Sequence, residues 1–373
     1  MLPAGRARRQ GGGLASPSPP RPLVSVVLPV RDGEATLDAA LASLHAQTYP
    51  RFEVLVVDDG SRDATSRIAR AWARRDGRFR LVESGAGDGA GRAAGARAAT
   101  YAAPASSGIV AALQRGLAVA NGAYIARMDA DDRCHPERLA VQLELLERDP
   151  GLAGCGAGVR YVPPANVTPR AAEYAAWLND MTSWDTVEAG LFVECPLAHP
   201  TFMFRAEALV SVGGYRDRGW PEDYDLLLRL WRSGHRFVSV PRVLLDWNNG
   251  PGRLSRTHPA YTHAAFRACK VHHLRRSLLA GREGVVVWGA GPTGKRLAVE
   301  FRRRGVRVHA FIEVDARKIG QVIHGAPVRE AEAAREFKGA LHLGAVARAA
   351  GREAVRAVAV GAGVGLGDFV AMA

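Results

Sequence analysis

The chain has 373 residues, enough for two domains of ordinary size, and a hydrophobic content of 47%, which is typical of a globular protein. Its formal net charge is +13 and its pI is about 10.2, but the arginines that dominate this charge recur along the whole chain. Because no basic stripe interleaved with aromatic residues occurs, we expect no nucleic-acid partner. An anionic membrane surface or a phosphorylated ligand remains compatible with the charge.

The four cysteines, at positions 134, 155, 195 and 269, have neither C-x-x-C spacing nor paired histidines at zinc-finger distances. Structural zinc and a disulfide framework are therefore not expected, and reduced thiols in the cytoplasm fit better. Residues 1–22 are rich in Arg, Gly and Pro and contain no apolar core. We expect them to form a disordered basic tail, and neither a signal peptide nor a membrane span.

The first predicted elements alternate between strand and helix. The run PLVSVVLPV predicts a buried strand that ends near Val30, and residues 36–47 have the alanine- and leucine-rich composition of a helix. A second strand, FEVLVVDDG, and a second helix at residues 63–75 follow after short joints. This order favours an α/β fold with a doubly wound parallel sheet.

Residues 85–108 are low in complexity and rich in Gly and Ala, and we expect them to form a flexible insertion. A helix at 109–120 and the strand AYIARM then lead into the acidic cluster Asp129-Ala130-Asp131-Asp132. The next segment, HPERLAVQLELLERDPG, predicts a helix with proline in its first turn and Pro-Gly at its end. After a less regular stretch up to residue 193, HPTFMFR predicts a strand and EDYDLLLRLWRSG a helix.

A new pattern begins near residue 284, so we interpret 256–283 as a helical connector and 284–373 as a second, smaller domain. In GVVVWGAGPTGK, the residues Gly289, Gly291 and Gly294 have the G-x-G-x-x-G spacing between a predicted strand and helix. They form a candidate second nucleotide site. Arg296 occupies the position where a P-loop needs Ser or Thr for Mg²⁺, which excludes ATP hydrolysis.

Polar groups in the first domain follow three predicted strands, and they begin at Arg31, Asp58 and Asp129. In open parallel sheets the ligand crevice lies outside these carboxyl ends. Carboxylates there can accept hydrogen bonds from a base or a ribose, or they can ligate a divalent cation that holds a diphosphate and offsets their repulsion. Each acidic group taken alone is also explained as a turn or a helix cap, but their joint occurrence favours a functional site.

Three segments resemble family 2 glycosyltransferases of the GT-A fold: VSVVLPVRDGEATLDAALASLHAQTYPRFEVLVVDDGSRDAT, GAYIARMDADDRCHPERLAVQ, and HPTFMFR with the later PEDYDLLLRLWRSG. The resemblance covers residues 23–255 and implies a GT-A domain, a nucleoside-diphosphate sugar donor and a Mg²⁺ or Mn²⁺ cofactor. It also implies inverting transfer of a hexose-type sugar to a glycan or lipid-linked acceptor, in the synthesis of a cell-envelope polysaccharide. The enzyme would act in the cytoplasm, with peripheral contact at the inner face of the membrane as a further option.

The resemblance also assigns roles to individual residues. The nucleotide sugar would be bound by residues after the first two strands and by the D-x-D pair, namely Pro29, Val30, Arg31, Glu34, Asp58, Asp59, Asp129 and Asp131. Asp131 and Asp129 would bind the metal, and Asp132 would support them. A third metal ligand among the later histidines, such as His258, stays open.

Asp223, in the acidic pair that opens the last helix of this domain, would be the catalytic base by the same resemblance. Because a helix N-terminus stabilises an anion, we expect its carboxylate to be ionised at neutral pH. Glu222 and His199 would lie near the acceptor or the diphosphate, although a packed strand histidine is an equally good interpretation of His199. Trp247 has two interpretations that both stay open: its ring would stack on a sugar, or it would occupy the core.

The C-terminal segment GAGPTGK…FIEVDARKIGQVIHGAPV resembles the Rossmann-like domain at the start of some sugar acyltransferases, where it would bind a nucleotide sugar or mediate assembly. Two functions from other classes stay open. One is a regulatory or scaffolding protein that binds a nucleotide sugar without turnover, although such a binder has no use for a base such as Asp223. The other is an NAD-binding redox partner, which the lack of substrate machinery after Asp315 disfavours.

Overall fold

The computed structural model of the protein describes residues 21–83, 101, 107–250 and 252–373. Nearly all of the predicted tail at 1–22 and most of the predicted insertion at 85–108 lie outside these residues. The described chain contains one sheet of eight strands and one of six, both accompanied by helices. This arrangement confirms the predicted α/β fold class with a second sheet domain.

The first part of the chain forms the parallel half of the large sheet. Its elements are β1 (Val24–Val30), α1 (Leu37–His45), β2 (Phe52–Asp58), α2 (Thr65–Arg75), β3 (Phe79–Glu83), α3 (Ile109–Val119) and β4 (Tyr124–Arg127). The strand order is β3-β2-β1-β4, and all three pairings are parallel. β1 and β2 are apolar on both faces and almost fully buried, as strands covered by helices on both sides are.

The next part of the chain extends this sheet as a mixed sheet. Its elements are β5 (Arg133–Cys134), α4 (Arg138–Arg148), β6 (Leu152–Val162), α5 (Pro169–Asn179), α6 (Trp184–Gly190), β7 (Met203–Arg205), α7 (Ala206–Val212), α8 (Glu222–Arg232) and β8 (Arg236–Asn248). The order continues β4-β7-β6-β8-β5. β7 is antiparallel to both of its neighbours, β6 and β8 are parallel, and β5 is antiparallel to β8.

Three strands of this half, β5, β6 and β8, were not predicted, and β7 was predicted too long. β6 is rich in Gly and Ala because it packs closely: a Cβ on Gly154 would lie 2.0 Å from the Phe204 ring. β8 contains Pro241, which the ladder accommodates at a register shift, as a bulge does. His199–Thr201 of the predicted strand HPTFMFR forms a short 3-10 turn instead.

The last part of the chain forms two linking helices and the second sheet. Its elements are α9 (Leu254–Thr257), α10 (His263–Leu274), β9 (Val285–Trp288), α11 (Pro292–Arg303), β10 (Val308–Ile312), β11 (Val322–Ile323), β12 (Ala326–Arg329), β13 (Leu341–Gly344), α12 (Ala349–Gly361) and β14 (Phe369–Ala371). The strand order is β11-β12-β10-β9-β13-β14, parallel except for the β11–β12 pair.

α10 joins the two sheets into one packed body. Lys270 is buried, and its Nζ donates to Val193 O at 2.7 Å and to Met372 O at 3.0 Å. Buried apolar residues of both sheets belong to one continuous core, which includes Val271 of α10 and Val285 of β9. All four cysteines are free thiols and are buried.

Within the described ranges, no helix combines the length and the apolar character that a bilayer crossing needs.

Candidate functional site

Three parallel strands end at the same edge of the large sheet. Val30 is paired with Asp58 and Val27 with Arg127, so the segments after β1, β2 and β4 leave the sheet side by side. Asp59 N donates to Val30 O at 2.9 Å and ties the first two segments together. This edge is where an open α/β sheet binds its ligand.

Asp58 and Asp59 are both buried, and their carboxylates are held locally. Asp58 accepts hydrogen bonds from Ser61 N at 2.9 Å, from Ser61 Oγ at 2.6 Å and from Ser66 Oγ. Asp59 forms an ion pair with Arg115 at 2.7 Å. The two carboxylates are therefore ordered at the strand edge, and each retains further acceptor lone pairs.

The segment after β1 carries an exposed arginine. Pro29 and Val30 are the buried end of the strand, so only their backbone can contact a ligand. Glu34 uses its Oε2 to accept a hydrogen bond from Ala64 N at 2.9 Å, next to the start of α2. Arg31 is exposed, and its Nε lies 3.8 Å from Asp32 Oδ2, so its guanidinium forms a solvent-exposed ion pair with Asp32.

The acidic cluster after β4 has the composition of a hard-cation site. Oxygens of Asp129, Asp131 and Asp132 lie within 4.8 Å of one another. Burial and the neighbouring Asp129 raise the pKa of Asp131, and they raise the pKa of Asp132 well above its usual value. Asp132 is 1% exposed; its Oδ1 accepts from Asn248 N at 2.8 Å, whereas its Oδ2 has no hydrogen-bond partner in the described part of the chain. A divalent cation bound by these oxygens would compensate the buried charge.

A cleft of about 340 Å³ opens beside this cluster. It brings together five residues that the sequence analysis assigned to one site, namely Asp129, Asp131, His199, Glu222 and Asp223. The remaining walls come from the start of α3, β6, α5, the turn before β7, the end of β8, the residues around α9 and the start of α10. The groups after β1 and β2, including Asp58 and Asp59, do not line this cleft.

Glu222 is the centre of a buried hydrogen-bonded group. Tyr261 Oη donates to Glu222 Oε2 at 2.6 Å, and His199 Nδ1 lies 3.6 Å from Glu222 Oε1. Burial raises the pKa of Glu222 and lowers the pKa of His199 well below its usual value, so the imidazole is neutral. His199 Nε2 lies 2.9 Å from Tyr215 Oη. Arg127, buried in β4, also lines the cleft and forms a 2.5 Å ion pair with Asp129.

Asp223 occupies the first turn of α8 with part of its surface exposed. Its Oδ1 accepts a hydrogen bond from Tyr224 N at 2.7 Å. Burial and the adjacent Glu222 carboxylate raise the pKa of Asp223 to about 7. The expectation of a fully ionised carboxylate at neutral pH is therefore wrong, because lost hydration and a like charge outweigh the helix dipole. A carboxylate with this pKa is a stronger proton acceptor than an ordinary aspartate.

An aromatic stack forms another wall of the cleft. The rings of Tyr161 and Trp247 are stacked at 5.0 Å, and the Arg253 guanidinium lies 4.2 Å from the Trp247 ring. Trp247 is 8% exposed, so it serves mainly as a platform for Arg253. Arg253 and Arg256 both line the cleft, where they bring positive charge opposite the acidic cluster.

Several residues of the cleft were not predicted from the sequence. The sequence does contain a signal for Arg127, which is a charged residue inside an apolar strand. Since it lies two positions before Asp129, its side chain points to the same side of the strand as that aspartate. No sequence signal distinguished Arg253 and Arg256 as site residues, since arginine is frequent throughout the chain. Tyr261 lies in a segment without a motif and reaches Glu222 only through the fold.

The histidines considered as a third metal ligand lie elsewhere. His258 lines an adjoining pocket of about 250 Å³, and its Nδ1 accepts from Ala260 N at 3.3 Å. His273 Nε2 lies 3.1 Å from Asp225 Oδ1, in a buried group with Cys269. Neither histidine is part of the group formed by the three carboxylates after β4.

The glycine motif of the second sheet forms a tight strand-to-helix turn. Gly289 has a φ of +105°, and a Cβ on Gly294 would lie 2.0 Å from Gly289 O, so both positions require glycine. Glu313, after β10, accepts hydrogen bonds from Ala290 N and Lys318 Nζ, both at 3.0 Å. In a dinucleotide site, a carboxylate at the position of Glu313 would accept hydrogen bonds from a ribose, but Glu313 already accepts them from protein groups. Binding of a nucleotide at this motif therefore stays a prediction.

The sequence matches known glycosyltransferases. The family model described as Glycosyl transferase family 2 matches residues 25–103 and 101–210. EpsE of Bacillus subtilis (strain 168), a glycosyltransferase by name, is 28% identical over 262 residues, which cover 69% of this chain and 83% of EpsE. Amylovoran biosynthesis glycosyltransferase AmsE of Erwinia amylovora is 27% identical over 215 residues, which cover 57% of this chain and 71% of AmsE.

A solved glycosyltransferase structure also aligns with this chain. The mannosyltransferase PcManGT from Pyrobaculum calidifontis, in complex with GDP-Man and Mn²⁺, aligns with 22% identity and a TM-score of 0.47, covering 70% of this chain and 64% of that chain.

The residues matched by the family model include Asp58, Asp129 and His199, so the match extends over the strand edge and part of the cleft. The chain is a glycosyltransferase with an α/β fold, and it belongs to glycosyltransferase family 2.

Proposed function

We propose that this glycosyltransferase moves a hexose-type sugar from a nucleoside-diphosphate sugar to a glycan or lipid-linked acceptor, with inversion at the anomeric carbon. The observation that carries the proposal is the shared cleft of Asp131, from a cluster suited to a cation, and Asp223, a carboxylate with a raised pKa. The name of AmsE, which refers to amylovoran biosynthesis, supports polysaccharide synthesis as the process.

Mg²⁺ or Mn²⁺ is the proposed cofactor, and Asp131 and Asp129 would hold it with Asp132 behind them. Three converging carboxylates and the partnerless Oδ2 of Asp132 fit a hard cation. When bound, the cation would supply positive charge to the diphosphate and so stabilise it as a leaving group. Arg253 and Arg256 line the same cleft and would contact phosphate oxygens from the other side.

The donor nucleotide would lie along the strand edge next to the cleft. Its base and ribose would contact Asp58 and Asp59, together with the segment Pro29, Val30, Arg31 and Glu34. The side-by-side exit of β1, β2 and β4 supports this placement, because a nucleotide bound there would lie beside the proposed position of the diphosphate.

Asp223 would accept the proton of the acceptor hydroxyl as that oxygen attacks the anomeric carbon. A sugar hydroxyl is a far weaker acid than a carboxylic acid, so the proton moves late, while the new carbon–oxygen bond forms. The bond to the diphosphate breaks on the opposite face, which inverts the centre without a covalent enzyme intermediate. Glu222 and neutral His199 adjoin Asp223 and would position the acceptor.

A thermal-shift screen of UDP- and GDP-sugars with Mn²⁺, Mg²⁺ or EDTA tests the proposal. We expect one donor to raise the unfolding temperature only when the metal is present, because binding to the folded state stabilises it by mass action. Asp131→Asn should lose the metal-dependent part of this shift. The matched control is Asp185→Asn, an exposed aspartate in the first turn of α6, which should keep the shift.

Turnover must be measured in parallel, because a binder without activity would show the same stabilisation. We expect release of the nucleoside diphosphate from the stabilising donor when acceptor glycans are supplied. Absence of stabilisation by every donor in every metal would contradict the proposal.

A further inference from the structure

A second pocket, of about 210 Å³, lies away from the catalytic cleft. It is lined by α8, by the turn before α8, and by α10 with the residues just after it. Among the described residues, none that lines this pocket also lines the catalytic cleft. Five of the eight lining residues are arginines, namely Arg216, Arg218, Arg229, Arg232 and Arg276. The pocket is therefore a separate and strongly basic feature.

Only one carboxylate in the lining balances these charges. Asp225 Oδ2 forms a 2.7 Å ion pair with Arg229 Nε, and this pair is internally neutral. The four other arginines are exposed, and within the described ranges none of them forms an ion pair with a carboxylate. Arg216 donates to Val212 O, which is a neutral acceptor. Four exposed guanidinium groups therefore line the pocket, and none of them has a carboxylate ion-pair partner among the described residues.

The floor of the pocket contains buried polar atoms without partners. Arg229 is 7% exposed and His273 is 1% exposed, and both line the pocket. In the described part of the chain, Arg229 Nη2 and His273 Nδ1 have no hydrogen-bond partner. Such atoms are uncommon in folded proteins, and they indicate a site for a ligand or an ordered water.

The groups around the pocket also repel one another. Burial and the adjacent Arg276 lower the pKa of Arg232. Burial, His273 and Arg276 lower the pKa of His272 to about 4, so this imidazole is neutral at physiological pH. An anion in the pocket would relieve this repulsion.

We propose that this pocket binds a phosphate group, carried either by a small phosphorylated molecule or by a lipid headgroup, through Arg216, Arg218, Arg232 and Arg276. Guanidinium groups pair with phosphate oxygens through two parallel hydrogen bonds, which makes arginine the preferred residue for this ligand. The pocket is smaller than the roughly 300–1,000 Å³ of sites for drug-sized ligands, so one or two phosphoryl groups fit its size better than a nucleotide.

Isothermal titration with pyrophosphate tests the small-molecule source. The buffer contains EDTA, so that no metal ion at the acidic cluster contributes. We expect binding to the wild-type protein and a loss of about tenfold or more in the Arg232→Gln/Arg276→Gln variant, called the pocket variant below, since it lacks two guanidinium groups that would donate charge-assisted hydrogen bonds to phosphate oxygens. The control is Arg74→Gln/Arg303→Gln, which removes two exposed arginines from the last turns of α2 and α11. Its affinity should equal that of the wild type.

Co-sedimentation with phosphatidylcholine vesicles, with and without phosphatidylglycerol, tests the lipid source with the same variants. Binding of either probe that is lost only in the pocket variant supports the proposal and identifies the source. The proposal is overturned if neither probe binds the wild type, or if the control loses binding equally. It is also overturned if binding is lost in Arg253→Gln/Arg256→Gln and retained in the pocket variant.

Two further measurements separate this proposal from the proposed function. The pocket variant should unfold at the wild-type temperature without ligand, because Arg232 and Arg276 are exposed and unpaired with carboxylates. It should also keep the metal-dependent stabilisation by the sugar donor. If it unfolds early, Arg218→Gln alone replaces it, and unchanged pyrophosphate and vesicle binding by that variant overturns the proposal.

Discussion

Glu222 and Asp223 are neighbours in the chain and share one wall of the cleft, but their surroundings differ. Glu222 is 3% exposed and receives the Tyr261 hydroxyl, whereas Asp223 keeps an exposed edge. Burial raises the pKa of both carboxyl groups, because two adjacent buried carboxylates resist ionising together. Asp223 is thus the member of the pair that can exchange a proton with a molecule in the cleft.

Asp223→Asn should abolish transfer while donor binding persists. An amide cannot accept the proton of the acceptor hydroxyl, and loss of general-base help lowers rates by about 10²- to 10⁴-fold. The measurement compares nucleoside-diphosphate release and the donor-induced thermal shift in the same preparation. Near-normal turnover in this variant would dismiss Asp223 as the base.

The activity should rise with pH through about 7. Below the pKa of about 7 the Asp223 carboxyl group is protonated and cannot act as a base, so kcat/KM should fall about tenfold per pH unit in acid. Above that pH the carboxylate is ionised, and the rate should level off. The thermal shift with donor and metal at each pH serves as the control for binding. A profile that is flat between pH 6 and 8 would contradict this role.

Sequence patterns located the aspartates of the cleft but not their partners. Asp129, Asp131 and Asp223 follow from strand ends, spacing and family resemblance, all of which are local. Arg253 and Tyr261 reach the cleft from a segment without a motif. The raised pKa of Asp223 results from burial by distant segments, which no local pattern reports.

At the scale of elements, α8 contributes residues both to the catalytic cleft and to the basic pocket. Its central leucines, Leu226, Leu227, Leu228 and Leu230, are all fully buried, so the helix is covered on most of its sides. Acidic residues occupy its first turn and arginines its last turn, which is favourable for the helix dipole. Asp225 and Arg229 form an i, i+4 ion pair between these ends.

Asp225→Asn should destabilise the protein strongly. Asp225 is fully buried and accepts hydrogen bonds from Trp220 Nε1 at 3.0 Å and Arg229 Nε at 2.7 Å. Removing its charge leaves the Arg229 guanidinium buried without a counter-ion, which costs about 3–5 kcal/mol. Chemical denaturation measures the loss, and the exposed Asp185→Asn is the matched control. An equal free energy of unfolding in both variants would contradict this role of Asp225.

The elements that sequence patterns predicted well are those with a clear period or clear end signals. β1 and β2 are continuous apolar runs, and α4 is bounded by prolines and has leucines on one face. β6 was not predicted because it is rich in glycine, which is unusual for a strand. The glycine at position 154 is explained only by its close packing against Phe204, which is distant in sequence. β8 was missed because Pro241 interrupts it, and the bulge that tolerates the proline exists only in the paired sheet.

At the scale of the whole molecule, the helix between the two sheets is part of the core. Cys269, Lys270, Val271 and Leu274 of α10 are all buried. The predicted connector at 256–283 therefore contains a buried helix that packs between α8 of the first part of the chain and α11 of the second, although its sequence suggested only a link. The second sheet begins at Val285, one residue after the predicted start of the second domain at 284. That the two parts of the chain share a core could not be predicted from any local pattern in the sequence.

The two sheets should unfold together. Their apolar cores are continuous and Lys270 bonds to backbone carbonyls of Val193 and Met372, so differential scanning calorimetry should show one transition with equal calorimetric and van't Hoff enthalpies. Lys270→Ala leaves these buried acceptors unpaired and should lower the stability by about 1–3 kcal/mol. Exposed Lys338→Ala is the control, and two separate transitions in the wild type would refute the prediction.

The burial of all four native thiols has a practical consequence. Burial raises the pKa of Cys134, Cys155, Cys195 and Cys269, so each is shielded and protonated, whereas maleimide dyes react with accessible thiolates. A cysteine introduced at Val314, which is 76% exposed, would then be the fast-reacting position on the described surface. A fluorophore or spin label could then be attached at this position without first replacing any of the four native cysteines.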